Sequence, residues 1–151
     1  MIKRVLLAFF VLLIIAQFFR SEKNLGVTGG PNDLTVKYAV AGPVKDLLQR
    51  ACYDCHSNRT RYPWYSEIQP VGWWLSKHVT EGKENLNFSE FGAYPTKRMV
   101  TRLEQISEDV SEKAMPLPSY TWAHRDARLT ADEIKLLTDW AESLHDEIAP
   151  E

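Results

Sequence analysis

Cys52, Cys55 and His56 stand in the order Cys-x-x-Cys-His, inside the run Ala51-Cys52-Tyr53-Asp54-Cys55-His56. Two thiols separated by two residues can reach both vinyl groups of one haem and form thioether links. The imidazole that follows the second thiol then meets the iron from the proximal side. This five-residue pattern is a known attachment site for c-type haem, so the sequence implies one covalently attached haem c with His56 as proximal ligand. Zinc binding and dithiol redox chemistry compete for such thiols. A structural zinc site of the usual kind needs four protein ligands, and the chain has no cysteine outside the motif. A thioredoxin-like pair wants a preceding strand and a βαβ setting, which the flanking residues do not supply.

An iron held by His56 needs a partner on the far side of the ring, and the chain offers Met99, Met115, His78, His124 and His145. Met115 is the expected distal ligand. It lies 59 positions after His56 in Lys113-Ala114-Met115-Pro116-Leu117-Pro118, where two prolines stop helix propagation and hold a soft thioether in a fixed loop. His78 is the substitute, although its place on an apolar helical stripe is equally that of a packed core histidine. Met99 falls within a helical stripe and reads as core. His124 reads as a loop residue, and His145 sits near the exposed end of the last helix.

The elements that must position these groups follow from periodicity. Gly42-Pro43 opens a helix in which Val44, Leu47, Leu48, Ala51, Cys52 and Cys55 recur at helical spacing, so both thiols leave one face. From Ser57 to Pro70 the pattern breaks, and Tyr62, Trp64, Tyr65 and Ile68 are expected to fold back over a face or edge of the haem. Pro70 opens a second helix through Val71, Trp74, Leu75, His78 and Val79, with Gly82 as its expected stop. A third helix, capped by Thr96, carries Met99, Leu103, Ile106 and Val110. The segment to Leu129 is aromatic and irregular. Thr130-Ala131-Asp132-Glu133 is a capping box that starts a final helix with Ile134, Leu137, Trp140, Ala141 and Leu144 on its buried stripe. The expected fold is all-α.

Before the domain, Lys3 and Arg4 precede an apolar run from Val5 to Phe19 broken only by Gln17. Residues 1–20 therefore read as a signal anchor or signal peptide. Fifteen residues of helix span about 22 Å, short of the ~30 Å hydrocarbon core, but Ala16-Gln17-Phe18-Phe19-Arg20 offers no small-x-small cleavage site, which favours an uncleaved anchor. The positive-inside rule keeps Lys3 and Arg4 in the cytoplasm. The domain is then expected in the periplasm, anchored at the inner membrane, or secreted there if the segment is cut. Residues 21–41, with Gly26, Gly29, Gly30 and Pro31, read as a flexible tether that carries at most a short extended piece at Leu34-Thr35-Val36. Residues 42–148 form the domain. Beyond residue 20 the chain holds 15 basic and 20 acidic residues, a formal charge of −5, which argues against a nucleic-acid partner.

The motif region with Tyr62-Pro63-Trp64-Tyr65-Ser66, Pro70-Val71-Gly72-Trp73-Trp74, His78-Val79, Gly82-Lys83, Leu86-Asn87-Phe88-Ser89 and Met115-Pro116 resembles the small bacterial haem-binding domain family, over roughly residues 40–146. The helix entering the attachment motif and the capped final helix are similar to those of class I cytochromes c. The resemblance implies a cytochrome c-like fold around one haem and leaves the redox partner open. The sequence favours an electron-transfer cytochrome serving redox partner proteins over an enzyme. A haem sensor or peroxidase-like enzyme with an open or displaceable distal site, using His78 or His124, is the alternative. A third reading is an assembly module whose haem is structural.

Overall fold

The computed structural model describes residues 1–149 and is helical throughout, with no strand among them. In chain order the α-helices are α1 (Ile2–Ala16), α2 (Leu34–Lys37), α3 (Gly42–Ala51), α4 (Tyr53–His56), α5 (Val71–Asn85), α6 (Thr96–Ser111), α7 (Pro118–Ala123) and α8 (Ala131–Ile148). Single 3-10 segments cover Trp64–Glu67, Phe88–Ala93 and Arg125–Ala127.

The core is built where apolar stripes meet. Val44, Leu47 and Leu48 of α3, Leu103 and Val110 of α6, and Leu137 and Leu144 of α8 pack with Phe88 and Phe91 from the 3-10 segment between α5 and α6. α8 packs most extensively on α6 and crosses α3 as well. Its start follows the expected capping box, with the Thr130 hydroxyl accepting from Glu133 N–H and the Glu133 carboxylate accepting from Thr130 N–H. Arg50 of α3 pairs with that same Glu133, which ties the two helices together. Met99 is core, as expected, and its sulfur accepts from the Tyr38 hydroxyl at 3.3 Å.

Several elements differ from the sequence expectation. Residues 21–41 pack on the domain instead of hanging free. Asp33 is 1 % and Leu34 0 % exposed; the Asp33 carboxylate accepts from Thr35 N–H and hydroxyl and so starts the helical turn α2 where an extended piece was expected. Nearer α1, Gly26 N–H donates to the Asn58 carbonyl (2.7 Å) and Thr60 N–H to the Asn24 carbonyl (2.9 Å). The motif helix breaks at Cys52 (φ −125°) and resumes as α4. α5 runs three residues beyond Gly82. The stretch expected to be irregular after Met115 contains α7, opened by Pro118 within its first turn.

α1 is the expected N-terminal helix, apolar and with no buried residue. It has 15 residues, and no helix among the described residues is long and apolar enough to cross a membrane.

Candidate haem site

One cleft of about 610 Å³ is walled by α3, α4, α5, α6 and the segment around α7, within the range of small-molecule and cofactor sites. Cys52, Cys55, His56, His78 and Met115 all line it. The residues singled out by sequence for one job are therefore brought to one place.

His56 is the most constrained of them. Its Nδ1 lies 3.0 Å from the Gly82 carbonyl and 3.1 Å from the Leu86 carbonyl. Carbonyl oxygens only accept, so Nδ1 carries the proton, and in the neutral ring Nε2 keeps its lone pair. Burial lowers the imidazole pKa against the opposing pull of those two carbonyls, which favours the neutral, metal-ligating form. A ligand histidine whose other nitrogen donates to backbone oxygen is the usual arrangement at a bound metal.

The two thiols are free. Burial, reinforced by the neighbouring thiol, pushes Cys52 up to about 12. Burial and then the Asp54 carboxylate push Cys55 up to about 11. Dithiol catalysts work through a lowered thiol pKa, and this pair is shifted the other way.

The break at Cys52 is held by its neighbours. Asp54, between the two thiols, is 6 % exposed. Its carboxylate accepts from Arg61 N–H and Nε (both 3.1 Å), Arg61 Nη2 (3.2 Å) and the Tyr120 hydroxyl (2.8 Å). Tyr120 itself lines the cleft, and burial, with the Asp54 charge next, raises its pKa. Tyr53 stacks on Phe88 with ring centroids 5.2 Å apart, and Phe88 meets the His56 ring edge-on at 6.3 Å.

Gly82 explains how α5 reaches the motif. A Cβ there would lie 2.8 Å from the Cys55 carbonyl oxygen, so only glycine lets the helices approach closely enough for its own carbonyl to accept from His56. We expect Gly82→Ala to destabilise the fold by about 1–3 kcal/mol, as overpacking does, and to weaken haem retention. A Cβ at Gly42 meets nothing, so Gly42→Ala is the control. Urea unfolding of both variants checks this, and equal stabilities would refute the steric account.

Met115 is positioned by the end of α6. Lys113 adopts the left-handed conformation (φ 59°). Its N–H donates to the Val110 carbonyl (3.1 Å), and Ala114 N–H donates to the Asp109 carbonyl (2.9 Å), the paired bonds of a Schellman turn. Met115 N–H donates to the same Asp109 oxygen at 3.0 Å. The thioether thus leaves a fixed turn, and its residue is half-buried at the cleft wall. His78 donates from Nδ1 to the Trp74 carbonyl (2.9 Å) and packs its ring against Trp74; the same logic leaves its Nε2 lone pair available. His124 lies elsewhere, bonded to the Tyr65 hydroxyl (2.8 Å) and stacked on Tyr120. His145 pairs with Glu104 and Asp146 on α6 and α8. Tyr62, Trp64, Tyr65 and Ile68 do not line the cleft: the Tyr62 hydroxyl accepts from Asn24 N–H, and Tyr65 turns to His124. The expectation that they fold over the ligand is thereby corrected.

The donor set fits a haem in one further respect. Arg102 reaches the cleft wall, and its Nε is buried without a hydrogen-bond partner. An orphaned guanidinium N–H costs free energy unless an acceptor arrives, and haem carries two propionates.

Residues 11–143 match the family described as haem-binding domain. The chain belongs to that family. The match begins within α1 and runs through the segment read from sequence as a tether, the motif, the cleft and most of α8. No curated protein and no solved structure matches the chain. Sequence reasoning gave no role to Asp54, Arg102 or Tyr120, and Phe88 stood only within the Leu86-Asn87-Phe88-Ser89 stretch of the resemblance. Asp54 was hidden as an ordinary charged residue inside the motif, and Arg102 falls among the charged residues of α6, which read as its solvated side.

Proposed function

We propose that this haem-binding domain is a single-haem c-type cytochrome that carries single electrons for redox partner proteins on the periplasmic side of a membrane. The reading rests chiefly on the cleft in which a neutral-ring histidine with a free Nε2, two free thiols and a thioether meet. Cys52 and Cys55 would hold the macrocycle, each S–H adding across one vinyl double bond with the sulfur on one carbon and the hydrogen on the other, without net oxidation, and His56 and Met115 would ligate the iron.

A bound haem supplies a metal centre that changes its charge by one. This chain's residues hold and shield it. The Gly82 and Leu86 carbonyls keep the proton on His56 Nδ1 and fix the ring. Phe88, Ile106, Val110 and Leu117 give the cleft apolar walls, which keep water from the ligands. Arg102 takes a propionate. A helix entering the motif and a capped α8 that packs on it support the cytochrome c-like reading. The apolar α1 holds the domain at the bilayer; being short, it is accommodated by local thinning or by snorkelling of its flanking residues.

Spectra of the purified holoprotein, oxidised and reduced, with and without carbon monoxide, test the function. A reduced spectrum that ignores carbon monoxide is the expected result. Prompt carbon monoxide binding by the wild type would overturn the electron-carrier reading in favour of an open site for gas sensing or peroxide chemistry.

A further inference from the structure

The joint between α1 and the domain is pinned by hydrogen bonds and ion pairs, and exposed apolar side chains lie beside it. Gln17 closes α1: its Nε2 donates to the Gln69 carbonyl (3.2 Å), and its Oε1 accepts from Gln69 N–H (3.0 Å). Trp73 Nε1–H donates to the Phe19 carbonyl at 2.6 Å. Arg20 and Lys23 both pair with Glu67. The start of α5 and the segment before it are therefore fastened to Gln17, Phe19, Arg20 and Lys23, which follow α1.

Around that joint the apolar groups are only partly covered by protein. Phe18 is 82 % and Phe19 65 % exposed, and Trp64, Ile68, Val71 and Trp73 range from 76 % down to 39 %. They continue the surface of α1, which buries no residue along its length. Tryptophans at the foot of an apolar helix, with Arg and Lys just beyond, have the composition of a membrane–water interface, where an amphipathic ring sits at headgroup level.

We propose that the face formed by Phe18, Phe19, Trp64, Ile68, Val71 and Trp73 rests in the interfacial layer of a lipid bilayer, so that the haem domain has a fixed orientation on the membrane. This rests on the reading of α1 as the membrane attachment. The occupant is a lipid surface because the patch adjoins the residues that leave the apolar α1, to which Gln69 and Trp73 are bonded. The two glutamine bonds and the tryptophan bond transmit the inclination of α1 to the domain.

The full-length holoprotein in vesicles of phosphatidylcholine and phosphatidylglycerol tests this. On the proposed attachment the native cysteines would be held in thioethers and silent to the label, which labelling of the wild type checks, so single nitroxide labels are placed at Leu12→Cys, Ile68→Cys, Val71→Cys and, as a control on α8, Leu136→Cys. Power saturation with oxygen and with a water-soluble nickel complex gives the depth of each label. We expect labels at 68 and 71 to be at least several-fold less accessible to nickel than the label at 136, and the label at 12 to be deepest. A buried label at 12 with labels at 68 and 71 as wet as the control overturns the proposal and leaves the attachment reading intact. A wet label at 12 overturns both. Dipolar broadening at 68 that disappears on dilution with unlabelled protein assigns the face to a second copy of the chain and also overturns the proposal.

Discussion

Replacing Cys52 and Cys55 together by serine is expected to abolish covalent pigment. Denatured wild-type protein extracted with acidified acetone keeps its haem, whereas the double variant releases all of it. Serine preserves the size of the side chain and leaves the Asp54 network in place, so the loss reports bond formation and not collapse of the cleft. Each single variant retains one thioether and part of the pigment. Tethering holds a ligand at high effective concentration, a gain of roughly 10²–10⁴ in retention, so the double variant should also lose most of its haem on dilution and purify largely as apoprotein. The wild-type extraction is decisive. If its pigment leaves the polypeptide quantitatively, attachment through these thiols is refuted, although a haem held by His56 alone would survive.

The second large effect concerns Met115. Met115→Ala removes the thioether from a turn fixed by Lys113 and Asp109, leaving one axial position open. The far-red band from thioether-to-iron charge transfer is expected to vanish, and the reduced protein should now take up carbon monoxide. Methionine–histidine ligation raises the reduction potential, so the potential should also fall. The residue is half-buried, so the stability cost should sit below the ~2–5 kcal/mol of a core methionine. His78→Ala is the companion variant, because its Nε2 is also free at the cleft wall. A band that survives Met115→Ala refutes Met115 as the ligand; a wild type that never shows the band, with His78→Ala alone opening the iron, makes His78 the distal ligand and the site bis-histidine.

Much of the fold was legible because its helices carry clear stripes. α3, α6 and α8 each present their buried leucines and valines at three- and four-residue spacing, and the Thr130–Glu133 box marks the start of α8. What was missed depends on contacts between segments distant in sequence. Gly82 looked like a helix stop because glycine usually is one; its reason is the Cys55 carbonyl, 27 positions away in sequence and 2.8 Å from where its Cβ would be. Asp33 and Leu34 sit in a Gly- and Pro-containing run that reads as linker, and only the packing of Phe91 and its neighbours shows that the run closes the core. The candidate site was partly legible. The motif and Met115 carry local signals, whereas the Asp54–Arg61–Tyr120 cluster joins three separate segments, and no residue in it announces its partners.

The bonds from Asn24 and Gly26 to the loop after the motif bear on where the polypeptide can be cut. Asn24 also donates through Nδ2 to the Ser57 carbonyl and accepts from Lys83. Trimming the chain at residue 20 would remove α1 and spare this stitch. Starting it at residue 28 would leave Ser57, Asn58 and Thr60 without their partners, right beside His56. A version of the protein without α1 should therefore begin before Asn24.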